Sequence, residues 1–276
     1  MENSFQLDNE QLKAQVAKQY QKQELQFPTE VIDLPSKGLV YPEGHPLRDG
    51  RVEMKYMTAK EEDILSSESL IRKGIVLDKL FRSLIIGNGD GVPFNYDDLV
   101  TGDKDAIMIA ARVLGYGKDY TIKIDVDELD EPHEVTVDLT TLNDNQFDES
   151  LFEKHGNNIP YILPAAKKQI TFKILNGHDE KLIASKLKKK DTSGIKRDNS
   201  TRLKHIITSI DGDEDQSTID EFVDNYLLSR DSFALKEYIK KIQPGVDMRF
   251  LLEIPEHEIS RWVDLPIGLD FFWPGV

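Results

Sequence analysis

An order of elements that occurs twice constrains this chain more than any other feature of its sequence. Val52-Glu53-Met54-Lys55-Tyr56-Met57 alternates as a strand does, and Ile170-Thr171-Phe172-Lys173-Ile174-Leu175 repeats it with Lys173 in the place of Lys55. Thr58 and Glu61 spell a capping box at a helix start, and Asp179-Glu180 falls where Glu61-Glu62 falls. Leu77, Leu80, Phe81, Ser83 and Leu84 are answered 126 positions later by Leu203, Ile206, Ile207, Ser209 and Ile210. Asp105 maps to Asp231 at the same offset, opening a helix with Leu235, Tyr238, Ile239 and Ile242 inward. Gly117-x-Asp119 returns as Gly245-x-Asp247, and Val137-Asp138-Leu139 as Val263-Asp264-Leu265. Leu34-Pro35 and Leu163-Pro164 precede the two runs.

Offsets this steady point to a tandem duplication of about 110 residues. The expected fold is α+β: two related lobes, each with a strand, several helices and a terminal β-hairpin. The division that follows is a polar helical arm or tail over 1–27, a first repeat over 28–140, a linker over 141–158 and a second repeat over 159–276. Within the first repeat, Leu70, Leu77, Phe81 and Leu84 make one helical face that Gly87-Asn88-Gly89-Asp90-Gly91 ends. A further helix from Asp103 to Leu114 buries Ile107, Ala111 and Leu114. Tyr120–Ile124 and Glu134–Leu139, joined by an acidic turn, read as a hairpin. The arm holds seven glutamines and a thin stripe, Leu12, Val16 and Tyr20. Such a stripe does not sustain a lone helix, so the arm is either a frayed tail or a segment that orders on a partner.

Composition removes several classes of function. With 31% charged and 39% hydrophobic residues, the 276-residue chain suits a soluble globular protein. No apolar run approaches the ~18 residues of a membrane span, and the polar start does not read as a signal peptide, so synthesis in the cytoplasm is expected. Cysteine is absent, which leaves out disulfides and thiolate metal sites. A net charge of −15 argues against nucleic acid as a partner. The basic stretch from Lys186 to His205 is a local exception, read as a solvated helix end and loop or as a patch for nucleic acid or an acidic protein.

No stretch carries catalytic chemistry. In DLPSKGLVYP, from Asp33 to Pro42, Lys37 precedes the only nearby glycine and the prolines lack N–H donors, so no phosphate loop forms. Asp211, Asp213 and Asp215 begin a calcium-loop pattern, but Gln216 and Phe222 stand where a glycine and a closing glutamate are required. A surface turn before a helix capped by Ser217 is expected there instead. His133 and His257 are placed in the two hairpin turns beside carboxylates, too few for a zinc site unless the turns meet. No G-x-S-x-G elbow is present. No catalytic, cofactor or metal residue is assigned, and no small-molecule substrate is expected. The terminal Phe271-Phe272-Trp273 is either docked into the core or offered to a partner. Leu12, Val16, Tyr20, His133, His257, Phe271, Phe272 and Trp273 are therefore the candidate partner-binding residues.

Taken together, LPSKGLVYP (34–42), MTAKEEDIL (57–65), LIRKGIVLDKL (70–80) and DLVTGDKDAIMIAARVLGYG (98–117) resemble the baseplate hub-associated proteins of contractile-tailed, T-even-like bacteriophages. SIDG (209–212), RDSFALKEYI from Arg230, PGVD (244–247) and the closing FFWP extend the resemblance from about residue 33 to the C-terminus. Relatives in that family often carry C-P-x-C pairs in the hairpin turns; Ile254-Pro255-Glu256-His257 stands there here, so any zinc role is lost. The resemblance implies a non-enzymatic structural protein of the virion's tail baseplate, assembled in the host cytoplasm, bridging other baseplate and hub proteins. A hub-assembly chaperone absent from the finished particle is the alternative, and an acidic-site enzyme a more distant one.

Overall fold

The computed structural model describes residues 28–188, 197–268 and 271–273. In chain order the first half comprises β1 (Thr29–Asp33), β2 (Arg51–Lys55), α1 (Ala59–Leu65), α2 (Glu68–Arg72), α3 (Val76–Leu84), β3 (Ile85–Asn88), α4 (Thr101–Tyr116), β4 (Asp119–Ile124) and β5 (His133–Asp138). A short helix, α5 (Glu149–His155), follows. The second half comprises β6 (Ile159–Ile162), β7 (Gln169–Phe172), α6 (Gly177–Lys188), α7 (Asp198–Ile206), β8 (Ile207–Ile210), α8 (Gln216–Asn225), α9 (Ser229–Ile242), β9 (Arg249–Ile254) and β10 (Ile259–Asp264). The fold is α+β, with four small antiparallel sheets in the orders β1-β2-β3, β4-β5, β6-β7-β8 and β10-β9.

Strand alternation sets the faces. Val52 and Met54 of β2 are fully buried while Arg51 and Glu53 point away. In α3, Val76, Leu80, Phe81 and Leu84 share the inner face at helical spacing. The helix stops at Leu84 and the chain runs straight into β3, with Ile85 already extended. Gly87 and Asn88 are thus strand residues rather than a helix terminator, because two β-branched side chains, Ile85 and Ile86, favour the pleated conformation. Two helices, α2 and α3, separated at Lys73–Ile75, occupy the region expected as one helical face.

The two halves share their strand geometry. Val52 lies opposite Asn88 and Glu53 opposite Gly87; a one-residue slip then places Met54 opposite Ile85. Ile170 lies opposite Ile210 and Thr171 opposite Ser209; the same slip places Phe172 opposite Ile207. Lys55 Nζ reaches Glu61 at 2.9 Å, and Lys173 Nζ reaches Asp179 at 2.8 Å. Leu34 N–H donates to Gly50 O and Leu163 N–H to Lys168 O. Each half therefore contains a three-stranded sheet, where one strand was expected.

These registers correct the helix alignment. The counterparts of Ile85 and Asn88 are Ile207 and Ile210, 122 positions on, so Phe81 pairs with Leu203 and Leu84 with Ile206. An offset of 126 lies four residues further, about one helical turn, and an apolar face that repeats every turn matches itself after such a shift. The counterpart of Asp231 is likewise Asp103, two residues before Asp105, as helix position and contacts show. Both are fully buried at the third position of their helix. Asp103 accepts from Ser36 N at 2.9 Å, Ser36 Oγ at 2.7 Å and Tyr41 Oη at 2.5 Å. Asp231 accepts from Ala165 N at 2.7 Å and Ala166 N at 3.0 Å. In both halves the carboxylate grips the chain just after Leu-Pro.

Buried side chains from both halves form one continuous core. At the seam, Gly177 N–H donates to Leu99 O, Asn145 N–H to Gly245 O at 2.7 Å and Asp247 N–H to Asn143 O at 2.8 Å. The segment expected as a polar linker is thus paired backbone to backbone, and α5 inserts Phe152 fully into the core against Phe147. At the C-terminus, Phe271 packs edge-on to Tyr120 and Phe272 to Phe81, both rings belonging to the first half.

Candidate functional site

The β4-β5 and β9-β10 ribbons flank two adjoining concavities. Among the described residues, β5 pairs only with β4 and β9 only with β10, so each offers a free edge. Val135–Asp138 of β5 and Arg249–Leu251 of β9 face a cavity of about 330 Å³. Asn143, Asp247 and Arg249 also line an adjoining cavity of about 730 Å³, which runs to Lys240 and Lys241 at the end of α9.

The ribbons hold this groove open by their own packing. Tyr120, Ile122 and Val137 turn inward from one, Phe250, Leu252 and Ile254 from the other. Glu128 in the first ribbon's turn takes a forked pair from Arg261 of β10, at 2.8 and 3.1 Å. The outward face of the second ribbon sets Leu251 opposite Trp262, which is 62% exposed. Arg249 lies 6.0 Å from the Trp262 ring and donates twice to Asp247, each at 2.7 Å. That hydrogen bonding holds the Asp247 carboxyl below its usual range. Lys118, bonded to Asp138 at 2.5 Å, brings the Asp138 carboxyl down to about 2. Burial raises Asp144, and Asp33 adds to the rise, against the pull of Lys37. The groove combines an aromatic and aliphatic wall with a fixed polar floor, a surface suited to a polypeptide.

A charged network locks the seam between the two halves. Asp97 accepts from Arg82 at 2.5 Å and Lys181 at 2.6 Å, while His45 and His178 flank Asp98 at 3.3 and 2.9 Å. Burial works against the Asp97 carboxylate, yet Lys181 and Arg82 keep its pKa below the ordinary value.

The residues singled out from sequence are not brought together. Leu12, Val16 and Tyr20 lie outside the described residues. His133 opens β5 opposite Ile124 and is not a turn residue. By register its counterpart is Ile259, opposite Ile254, so His257, exposed in the turn before it, is no equivalent. Among the described residues no three His, Asp or Glu converge to hold a metal. Phe271 and Phe272 are core residues, because Tyr120 and Phe81 leave aromatic slots that they fill; Trp273, half-buried, donates to Leu65 O. Asp215, rather than Ser217, caps α8, accepting from Thr218 N, and Ser217 Oγ donates to the same carboxylate. The groove residues Leu251 and Trp262 escaped notice because alternation alone does not say which face of a two-stranded ribbon is covered. No family model, no curated protein and no solved structure matches this chain.

Proposed function

We propose that the protein is a non-enzymatic structural component of a contractile-tail baseplate, which holds neighbouring subunits by capturing their extended segments at the groove between its two ribbons. The observation that carries this reading is the pair of free strand edges, β5 and β9, beside exposed Leu251 and Trp262. An edge recognises an extended backbone by hydrogen bonding, and the aromatic neighbour supplies the anchor. The family resemblance of the sequence supplies the setting, and tandem duplication accounts for two ribbons of one design in one chain. Halves cross-linked through backbone pairs at the seam suit a part that fixes its neighbours' geometry.

The test is quantitative mass spectrometry of purified tail particles of the encoding phage, with wild-type protein and with Trp262→Lys. Wild-type protein at fixed copy number, and Trp262→Lys folded but missing from particles, is the expected result. Presence only in partial assemblies would make it a chaperone, and absence from both would end the structural reading.

A further inference from the structure

The two halves differ most where β1 meets β2 and β6 meets β7. Between the bonded pair Leu34 and Gly50 lie fifteen residues; between Leu163 and Lys168 lie four. In the first half this long loop covers the ends of β2 and β3. Leu47 is fully buried, and Pro46 O accepts from Asn88 Nδ2 at 2.9 Å. Arg48 closes the loop on itself by donating to the carbonyls of Gly38, Leu39 and Tyr41. In the second half the counterpart of Asn88 is Ile210, and among the described residues no such loop reaches it. A cleft of about 380 Å³ remains between the 163–168 turn and α8, lined by Ala166, Ile210, Phe222 and Tyr226. Tyr226 is 62% and neighbouring Leu228 50% exposed.

The first half therefore shows what fills this place: a short loop with an aliphatic anchor. The rim adds a charge requirement. Glu221 lines the cleft and Asp213 is paired backbone to backbone with its lining residue Ile210, while Lys168, which also lines it, is engaged by Asp211 at 2.6 Å. A chain with net charge −15 is a poor match for that rim, which disfavours a second copy.

We propose that this cleft docks a loop of a partner protein bearing a large aliphatic side chain between basic residues, in the place that Gly38–Asp49 takes in the first half. The site is separate from the ribbon groove and does not depend on the baseplate reading. The anchor fills an apolar pocket of a size that buries such groups, and the basic flanks answer the acidic rim.

The probe is a synthetic peptide copying residues 37–48 with Glu43→Lys, titrated into the full-length protein and followed by backbone-amide NMR. Expected are saturable shifts at Ala166, Ile210 and Tyr226, weakened several-fold between about 50 and 500 mM salt. Leu47→Asp in the peptide, or Tyr226→Glu in the protein, should abolish them; Tyr226 is exposed, so that variant keeps its fold, and Ala166→Arg serves as a second block. The proposal is overturned by shifts at Leu251 and Trp262 instead, by no shifts at millimolar peptide, or by binding indifferent to Leu47→Asp. Self-association of the free protein through this cleft would overturn it equally.

Discussion

Replacing Glu61 by glutamine should make stability far less sensitive to acid, and by an amount the geometry fixes. Glu61 is fully buried at the start of α1. Burial alone would raise its carboxyl. Hydrogen bonds from Ser83 Oγ at 2.6 Å, from Thr58 Oγ1 at 2.6 Å and N at 3.1 Å, and from Lys55 at 2.9 Å outweigh it and bring the pKa from 4.5 to about 2. A folded value below the unfolded one means that stability is present above the unfolded pKa and lost as pH falls toward the folded one. A shift of roughly 2.5 units corresponds to about 3 kcal/mol. Glu61→Gln should therefore cost about 3 kcal/mol at pH 7, and only between about 1 and 2 kcal/mol at pH 3. Urea denaturation of both proteins across that range measures the difference. A deficit that stays constant from pH 7 to pH 3, or one below about 1 kcal/mol at pH 7, would refute the argument that these donors stabilise the charged form.

Four further substitutions report on other contacts. Asp103→Ala strands the Ser36 amide and hydroxyl and the Tyr41 hydroxyl, and should cost about 3 kcal/mol by denaturation, with Asp231→Ala close behind through Ala165 and Ala166. Phe271→Ala should cost roughly 3–5 kcal/mol, read as a lower denaturation midpoint, since the ring is fully buried against Tyr120 and Phe272. His205 stands in the second half where Ser83 stands in the first, its Nε2 buried without a partner; burial and Lys186 hold its pKa below 6.5. The unfolded chain then takes up a proton that the folded one resists, so stability falls as pH drops below 6.5, and His205→Ser should flatten that slope in melting experiments at pH 5 to 7.

How far the sequence could be read depended on the range of the interaction. Capping boxes, strand alternation and the ribbon pattern are local, and Thr58–Glu61, Val52–Met54 and Tyr120–Val137 are where the pattern placed them. β1 and β6 went unread because four or five residues such as TEVID and IPYI carry too short an alternation, and their identity comes from pairing with β2 and β7. The helix register was misjudged by one turn because amphipathic periodicity is blind to whole turns, and only the strand following each helix fixes it. The ribbon groove was illegible for a related reason. Whether Trp262 or Val263 faces solvent depends on which side of β9-β10 the rest of the protein covers, a long-range fact.

The seam between the two halves is built from contacts that the outer ends of the chain do not reproduce. Head-to-tail contact between like units propagates unless something stops it. Here the contact depends on two close approaches. A Cβ on Gly102 would fall 1.9 Å from Pro244 O, and one on Gly177 would fall 2.4 Å from Lys104 Nζ and 2.9 Å from the Asp97 backbone. At the corresponding positions of the outward-facing ends stand Arg230 and Ala59. The charges change as well. Lys181 and Asp97 pair at the seam, whereas their counterparts, Asp63 and Asn225, offer no cation. A second copy presented at the free ends would meet a guanidinium where the seam has bare backbone and an unpaired carboxylate where it has an ion pair. The seam contacts are thus not repeated at the outer end, where the apolar side chains of Tyr226 and Leu228 are exposed.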